Sequence, residues 1–242
     1  AGVRVAQLAG RGFTGPASAV DGRMGLLEAF SGASAAPGEL RRGLGDEWAL
    51  REVWIKVYPI CGWIQGPAQL LLSLRGAQPL AAQRVRKVVI GTSAFAVKHN
   101  GNPSPSDTME AQYSLPYCAA LTLVGDPRDP DAYGLDAIQN PVVRELAQRV
   151  ELKVDAESEA AYPRRVGSRV QLHLDDGAVR EAATLDPHGS PADPCTDEEV
   201  IAKFHRLAAL SPLPCDASAI VGAIRSLETL ESARDFTALM RA

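Results

Sequence analysis

Two alternating runs of apolar residues, Val166–Leu174 and Val179–Leu185, are separated by Asp175-Asp176-Gly177. An Asp-Gly pair between such runs is a strong signal for a tight turn that joins two antiparallel strands. The sequence therefore predicts a β-hairpin here, and it is the strongest local prediction in the chain. The apolar face of its first strand consists of Val170, Leu172 and Leu174.

The remaining patterns place helices on both sides of this β-rich region. Helical periodicity is found over Gly2–Arg11 and near Met24–Phe30, and two further strands are predicted at Val85–Ile90 and Val150–Val154. After the hairpin, Thr196 with Glu199 forms a capping-box pattern that begins a helix to Leu210, and two more amphipathic helices follow. The order of helices, mixed elements and helices is typical of an α+β domain inserted into an all-α domain.

Domain boundaries follow from the same order. The stretch Ser31–Gly38 is rich in Gly, Ala and Ser, which is typical of a linker. We predict that residues 1–38 are part of a helical domain and that residues 39–190 form a smaller α+β lid domain. Residues 191–242 are predicted to return to the helical domain.

The segment Trp54–Cys61 is predicted to be a strand that turns into a helix. Val53, Ile55 and Val57 alternate on one side, Pro59 ends the strand, and the apolar run Pro67–Leu74 is long enough for a helix. Lys56 and Cys61 would then face a cleft, where a lysine drawn out of water is a usable acid or base. The alternative is a solvated lysine on an edge strand.

Two more segments carry candidate polar residues. Ala94–Ser104 is predicted to be a loop that contains His99, a residue whose ring is suited to proton transfer. Asp107–Val124 is predicted to be one helix with a kink at Pro116, and on it Ser114 lies one turn before Tyr117.

Composition excludes several classes of function. The net charge is −4 and there is no cluster of Lys and Arg, which argues against nucleic acid but not against a small anionic substrate. The four cysteines are widely spaced without zinc-site spacing, so we expect no metal, reduced thiols and a cytoplasmic protein. No apolar run approaches the ~20 residues of a membrane span, and there is no signal peptide pattern.

Four stretches, in order, resemble the MmgE/PrpD family. They are Ala1–Pro16, which ends in Gly-Phe-Thr-Gly-Pro, the pattern Lys-x-Tyr-Pro-x-Cys at 56–61, the segment Pro105–Tyr117, and the helix pattern Asp197–Leu207. This resemblance covers nearly the whole chain. It implies a helical domain and a smaller α+β lid, with the active site between them.

The resemblance also implies a function. It indicates a lyase of the 2-methylcitrate dehydratase type that needs no cofactor and acts on a small di- or tricarboxylate by removing a proton next to a carboxylate. An epimerase, another isomerase or a decarboxylase of a similar acid is the alternative. A non-catalytic subunit of a split, two-chain assembly is a further alternative.

Candidate site residues follow from the matched motifs. The catalytic candidates are Lys56, His99 and Cys61. The candidates for substrate binding are Thr14, Gly15, Tyr58, Gln65 and Ser114. Cys61 and Gln65 stand where related sequences have histidine, a departure that leaves the exact reaction open.

Against the family pattern the chain begins about halfway along. We therefore expect a homodimer or a partner chain that supplies the missing N-terminal helices, which activity would then require.

Overall fold

The hairpin predicted around Gly177 forms one side of a four-stranded mixed sheet. In the computed structural model, which describes residues 1–31, 36–212 and 215–240, the sheet order is β2-β1-β3-β4. The strands are β1 Val85–Thr92, β2 Val150–Val154, β3 Ser168–Leu174 and β4 Val179–Thr184. The strands predicted at Val85–Ile90 and Val150–Val154 and the two strands of the hairpin are thereby confirmed.

The central strand β1 pairs with different geometry on its two sides. It runs parallel to β2, with Ile90 opposite Leu152, and antiparallel to β3, with Ile90 opposite Val170. The parallel pair requires a long crossover, and the residues between β1 and β2 supply it as a series of helices. The α+β character of the chain is therefore confirmed, while the lid arrangement stays a prediction.

Eleven α-helices are present within the described residues. They are α1 Gly2–Ala9, α2 Leu26–Ser31, α3 Gln65–Arg75, α4 Ala94–His99, α5 Thr108–Tyr113, α6 Leu115–Val124, α7 Pro141–Ala147, α8 Ala156–Ala161, α9 Asp197–Ala209, α10 Ala217–Arg225 and α11 Ala233–Ala238. Short 3-10 helices span Pro37–Arg41, Ala49–Glu52, Gly62–Ile64, Ala82–Arg84, Pro130–Tyr133, Ala137–Gln139 and Leu227–Thr229. No helix of the described residues combines the length and the apolar character that crossing a membrane requires.

The core is built around α6. Every residue from Leu115 to Leu123 is buried, which is typical of a helix covered on all sides. α3 packs against α6 and against β3 and β4, so that it lies over the hairpin. The predicted hairpin face is part of this core, because Val170, Leu172 and Leu174 are all buried.

The chain divides into two units, residues 1–52 and 53–242. The first unit contains α1 and α2, and most of its large apolar side chains are exposed, including Phe13 at 70% and Phe30 at 84%. The second unit contains the sheet and the core. Residues 32–35 of the predicted linker lie outside the described residues.

Three local predictions are wrong. The segment 53–58 is not a strand, because its backbone groups bond to Gly189 and to the Gln65 side chain instead of to a neighbouring strand. Residues 94–99 form α4, which Ser93 caps, instead of a loop. The predicted helix 107–124 is two helices, because Ser114 is extended and begins a new helix with Pro116 in its first turn.

Candidate active site

The Gln65 side chain fixes the segment that carries Lys56 and Tyr58. Its amide oxygen accepts hydrogen bonds from the backbone N–H groups of Val57 and Tyr58, at 3.1 Å each. Its amide nitrogen donates to the carbonyl oxygens of Tyr58 at 3.0 Å and Ile60 at 3.2 Å. Gln65 is buried at the start of α3, so one side chain replaces the ladder of bonds that a strand partner would supply.

Lys56 lies at a small basic cavity. The cavity has a volume of about 190 Å³, and Lys56, Tyr58, Arg128, Lys203 and Arg206 are among its lining residues. Lys56 itself is exposed, which corrects the prediction that its amine is drawn out of water. Four cationic side chains at one concavity create a positive potential that attracts small anions.

Helix α9 holds two sides of this cavity together. The Lys203 ammonium donates a hydrogen bond to the carbonyl oxygen of Lys56, and an Arg206 guanidinium N–H donates to the carbonyl oxygen of Arg128 at 3.5 Å. The Arg128 guanidinium lies over the Tyr58 ring, 5.5 Å from its centre. The two hydrogen bonds fix the backbone at Lys56 and Arg128, and they keep the Lys203 and Arg206 side chains close to the cavity.

Tyr58 connects this cavity with a larger one. The larger cavity, of about 510 Å³, is also lined by Tyr58, Arg128, Lys203 and Arg206. Burial raises the pKa of Tyr58, although the charge of Arg128 opposes this shift. The phenol therefore stays protonated at neutral pH and can donate a hydrogen bond to an anion.

The larger cavity contains a cluster that the sequence reasoning missed. Ligand atoms of His188, Cys195 and Glu199 all lie within 4.8 Å of one another. Burial alone would lower the pKa of His188, but hydrogen bonds to Asp193 and Glu199 outweigh it and raise this pKa. The sequence contained one signal for this cluster. Cys195 directly precedes a predicted helix start, Glu199 follows it by four residues, and His188 precedes it by seven.

Two of the predicted catalytic residues lie elsewhere. Cys61 is buried and lines a separate cavity with Trp54, Trp63 and Tyr162. His99 is exposed at the end of α4, where its ring lies 4.3 Å from the Phe95 ring. Neither residue lines the small cavity at Lys56 or the larger cavity next to it, which we call the two basic cavities. The structure therefore does not bring Lys56, His99 and Cys61 together.

The remaining predicted residues have local contacts. The Ser114 hydroxyl accepts from the backbone N–H of Tyr117 at 3.0 Å and donates to the carbonyl oxygen of Asn102, so it caps α6. Thr14 and Gly15 are exposed in the first unit in an irregular segment, and no helix begins directly after Pro16. The predicted helix start after Pro16 is therefore wrong, while a substrate contact of Thr14 and Gly15 stays a prediction.

Gly189 lets the His188 loop approach the Lys56 segment. Its carbonyl accepts a hydrogen bond from Ile55 N–H at 2.8 Å, its φ is +93°, and a Cβ would lie 2.0 Å from the Ile55 oxygen. We expect Gly189→Ala to lower the free energy of unfolding by about 2–4 kcal/mol, through left-handed strain and this clash. Urea unfolding followed by fluorescence measures it.

Gly177 provides the matched control for this substitution. Its φ is +86°, but nothing lies within 4 Å of its Cβ position. Gly177→Ala should therefore show only the conformational cost of about 1–2 kcal/mol. Equal losses in the two variants would contradict a close approach at Gly189.

Comparison with protein families identifies this chain's class. The MmgE/PrpD C-terminal domain model matches residues 58–228. This range includes most lining residues of the two cavities, but Ile55, Lys56 and Val57 lie before it. The chain therefore belongs to the MmgE/PrpD family, as its motifs indicated.

Two relatives give the range of similarity. Cis-aconitate decarboxylase of Aspergillus terreus is 26% identical over 180 residues, covering 70% of this chain and 36% of that protein. The cis-aconitate decarboxylase-like protein oryM of Aspergillus oryzae (strain ATCC 42149 / RIB 40) is 24% identical over 218 residues, covering 84% and 44%. The chain thus spans less than half the length of these relatives.

Proposed function

We propose that this chain is part of a lyase that acts on a small di- or tricarboxylate without a cofactor. The observation that carries the proposal is the basic cavity at Lys56. Lys56, Arg128, Lys203 and Arg206 line it together, and none of its lining residues within the described chain is acidic. Its family and the names of its relatives support the same class of reaction.

Each side chain has a role in this proposal. Arg128 and Arg206 bind the carboxylates, for which a planar guanidinium offers paired N–H donors. The Tyr58 hydroxyl donates a further hydrogen bond. Lys56 is the proton carrier, because no hydrogen bond or ion pair of its amine is found within the described residues, whereas Lys203 is bound to a carbonyl.

The cationic groups also favour the reaction itself. Removal of a proton next to a carboxylate builds up negative charge on that carboxylate. Fixed positive charges stabilise this charge more than they stabilise the starting acid, which lowers the barrier. Proton transfer and anion binding by side chains therefore account for the proposed chemistry.

Dehydration of 2-methylcitrate is the reaction that we propose first. Decarboxylation is the second candidate, and the names of the two relatives favour it. Incubation with 2-methylcitrate and with cis-aconitate in D2O, followed by proton NMR, separates the reactions. A new alkene from 2-methylcitrate shows dehydration, and loss of carbon dioxide from cis-aconitate shows decarboxylation. A new diastereomer of 2-methylcitrate that carries deuterium at the inverted carbon shows epimerisation.

Binding of the acid tests the cavity separately from turnover. We expect Arg206→Gln to weaken citrate binding by about 10- to 150-fold, because a hydrogen bond to a charged group contributes about 1.5–3 kcal/mol. Titration calorimetry measures the dissociation constant. Arg86→Gln is the control, since Arg86 is an exposed residue outside these cavities. Equal affinity in the two variants would contradict carboxylate binding at Arg206.

A partner surface on the first unit is a second proposal. Phe13 and Phe30 are exposed there, together with Val3, Val5 and Leu8 of α1. An apolar surface of this kind is typical of a region that another polypeptide covers. We propose that helices from a partner chain, or a second copy, cover it. Native mass spectrometry of the purified complex distinguishes these two from a lone chain, which would contradict the proposal.

A further inference from the structure

Three donor groups converge on one wall of the larger cavity from different places in the chain. His188 lies in the loop after β4, Cys195 lies directly before the cap of α9, and Glu199 lies in the first turn of α9. All three line the cavity of about 510 Å³. The His188 Nε2 atom is 3.1 and 3.0 Å from the two carboxylate oxygens of Glu199.

The ring of His188 is held in one orientation from its other side. Its Nδ1 lies 3.1 Å from an Asp193 carboxylate oxygen, and its backbone N–H donates to the Gln69 side chain at 2.8 Å. An Nδ1–H group that donates to Asp193 leaves Nε2 as the nitrogen that can bind an ion once its own proton is lost. Histidines that bind metals usually have such a carboxylate partner behind them.

The glutamate is fixed as well. Its Oε2 accepts a hydrogen bond from the backbone N–H of Thr196 at 2.8 Å, and the Thr196 hydroxyl accepts from Glu199 N–H. Oε1 has no bond in this capping box and faces the imidazole. Two of the three donors are thus positioned by contacts that do not involve a ligand.

The donor set favours one chemical class of ligand. A nitrogen, a sulfur and a carboxylate oxygen suit Zn²⁺, whereas Mg²⁺ and Ca²⁺ prefer oxygen donors alone. Bond lengths of about 2.0–2.3 Å place the ligands of a tetrahedral Zn²⁺ about 3.3–3.8 Å apart. The donors here lie within 4.8 Å, so small rotations of these side chains are enough to reach that geometry.

We propose that His188 Nε2, Cys195 Sγ and Glu199 Oε1 form a binding site for one Zn²⁺-class ion, with Asp193 as the residue that orients His188. The ion takes the place of the proton between Nε2 and Glu199, and that proton and the thiol proton go to solvent. Three protein ligands leave a fourth position for water or for an anion in the cavity. This site does not depend on the proposed lyase reaction, because none of its ligands takes part in that proposal.

Titration of the purified, metal-free 242-residue chain with Co²⁺ tests the site. Co²⁺ substitutes for Zn²⁺, and a bond to a thiolate gives a sulfur-to-cobalt charge-transfer band that other donors lack. We expect one Co²⁺ per chain, this band, visible bands of a four-coordinate ion, and loss of all of them when Zn²⁺ is added. Absence of saturable Co²⁺ binding at micromolar concentration would overturn the proposal.

Two pairs of variants locate the ion. Cys195→Ser should remove the charge-transfer band, while Cys215→Ser, which changes an exposed cysteine, should keep it. His188→Gln should abolish tight binding, and circular dichroism confirms that each variant is folded. A band that survives both Cys195→Ser and His188→Gln would place the ion elsewhere and overturn the site.

Asp193→Asn tests the orienting role separately. Loss of an outer carboxylate partner typically weakens metal binding about 10–100-fold while the ligands stay in place. We expect the charge-transfer band to persist at higher Co²⁺ concentration. Unchanged affinity would overturn the role of Asp193. Every readout in these experiments is metal binding. Their outcome is therefore independent of whether the chain catalyses the proposed lyase reaction.

Discussion

Replacing Lys56 with alanine is expected to slow proton exchange at the carbon next to a substrate carboxylate by about 10²–10⁴-fold, the usual contribution of a general acid or base. Lys56 lines the basic cavity, and its amine has no bonded partner within the described residues. Because Lys56 is exposed, its removal leaves no buried cavity, so stability should change little. Deuterium incorporation from D2O, followed by proton NMR, measures the exchange.

Lys98→Ala is the matched control for this experiment. Lys98 is an exposed lysine on α4 and lines neither basic cavity. Exchange in this variant should equal that of the wild-type chain. A rate that falls equally in both variants, or in neither, would remove Lys56 from the proposed mechanism. Assay in the presence of any partner chain keeps the comparison valid if the complete site needs one.

Replacing Gln65 with alanine is expected to lower the free energy of unfolding by about 3–5 kcal/mol, because each buried group that loses its hydrogen bond costs about 1–3 kcal/mol. Gln65 is 2% exposed and binds four backbone groups of residues 57–60. Water that enters the gap recovers part of this loss. Urea unfolding monitored by tryptophan fluorescence measures the change, since Trp54 and Trp63 lie close in sequence.

Gln69→Ala is the control on the same helix. Its side chain is half-buried and accepts one hydrogen bond, from His188 N–H at 2.8 Å. We expect a loss of about 1 kcal/mol, the net contribution of a single bond. Gln65→Glu should be almost as harmful as Gln65→Ala, because a carboxylate would face the Tyr58 and Ile60 carbonyls. A Gln65→Glu variant with the stability of the wild-type chain would contradict the role of these four hydrogen bonds in fixing residues 57–60.

The sequence predicts elements that are determined locally. The Asp-Gly turn determines the hairpin, and Thr196 with Glu199 forms the capping box that begins α9. In both cases the residues that define the element are neighbours in the chain, so their geometry can be inferred without knowing the fold. The alternation at Val170, Leu172 and Leu174 identified a buried face for the same reason.

Predictions that depended on distant partners were less successful. Val53, Ile55 and Val57 have strand periodicity, but Ile55 N–H donates to the Gly189 carbonyl oxygen. The Gln65 side-chain oxygen accepts from the N–H groups of Val57 and Tyr58. A strand requires a neighbouring strand, and local periodicity does not show whether one is present.

The basic cavity shows the same limit for the site. Lys56 and Tyr58 belong to one matched motif, Lys203 and Arg206 lie in the helix pattern Asp197–Leu207, and Arg128 belongs to no motif. None of these patterns indicates that the five residues line one cavity. An overall charge of −4 gives no indication that four cationic side chains meet at one place. Their convergence depends on α9 binding the carbonyl groups of Lys56 and Arg128.

The sheet order has a consequence for self-association. β2 and β4 are the outer strands, and each has one edge whose backbone groups are unpaired within the sheet. Glu151 and Lys153 lie on β2, and Arg180 and Glu181 lie on β4, all of them exposed. Charged side chains on an outer strand make the addition of another strand unfavourable. Two copies of this chain are therefore hindered from joining their sheets into one or growing into fibrils along these edges.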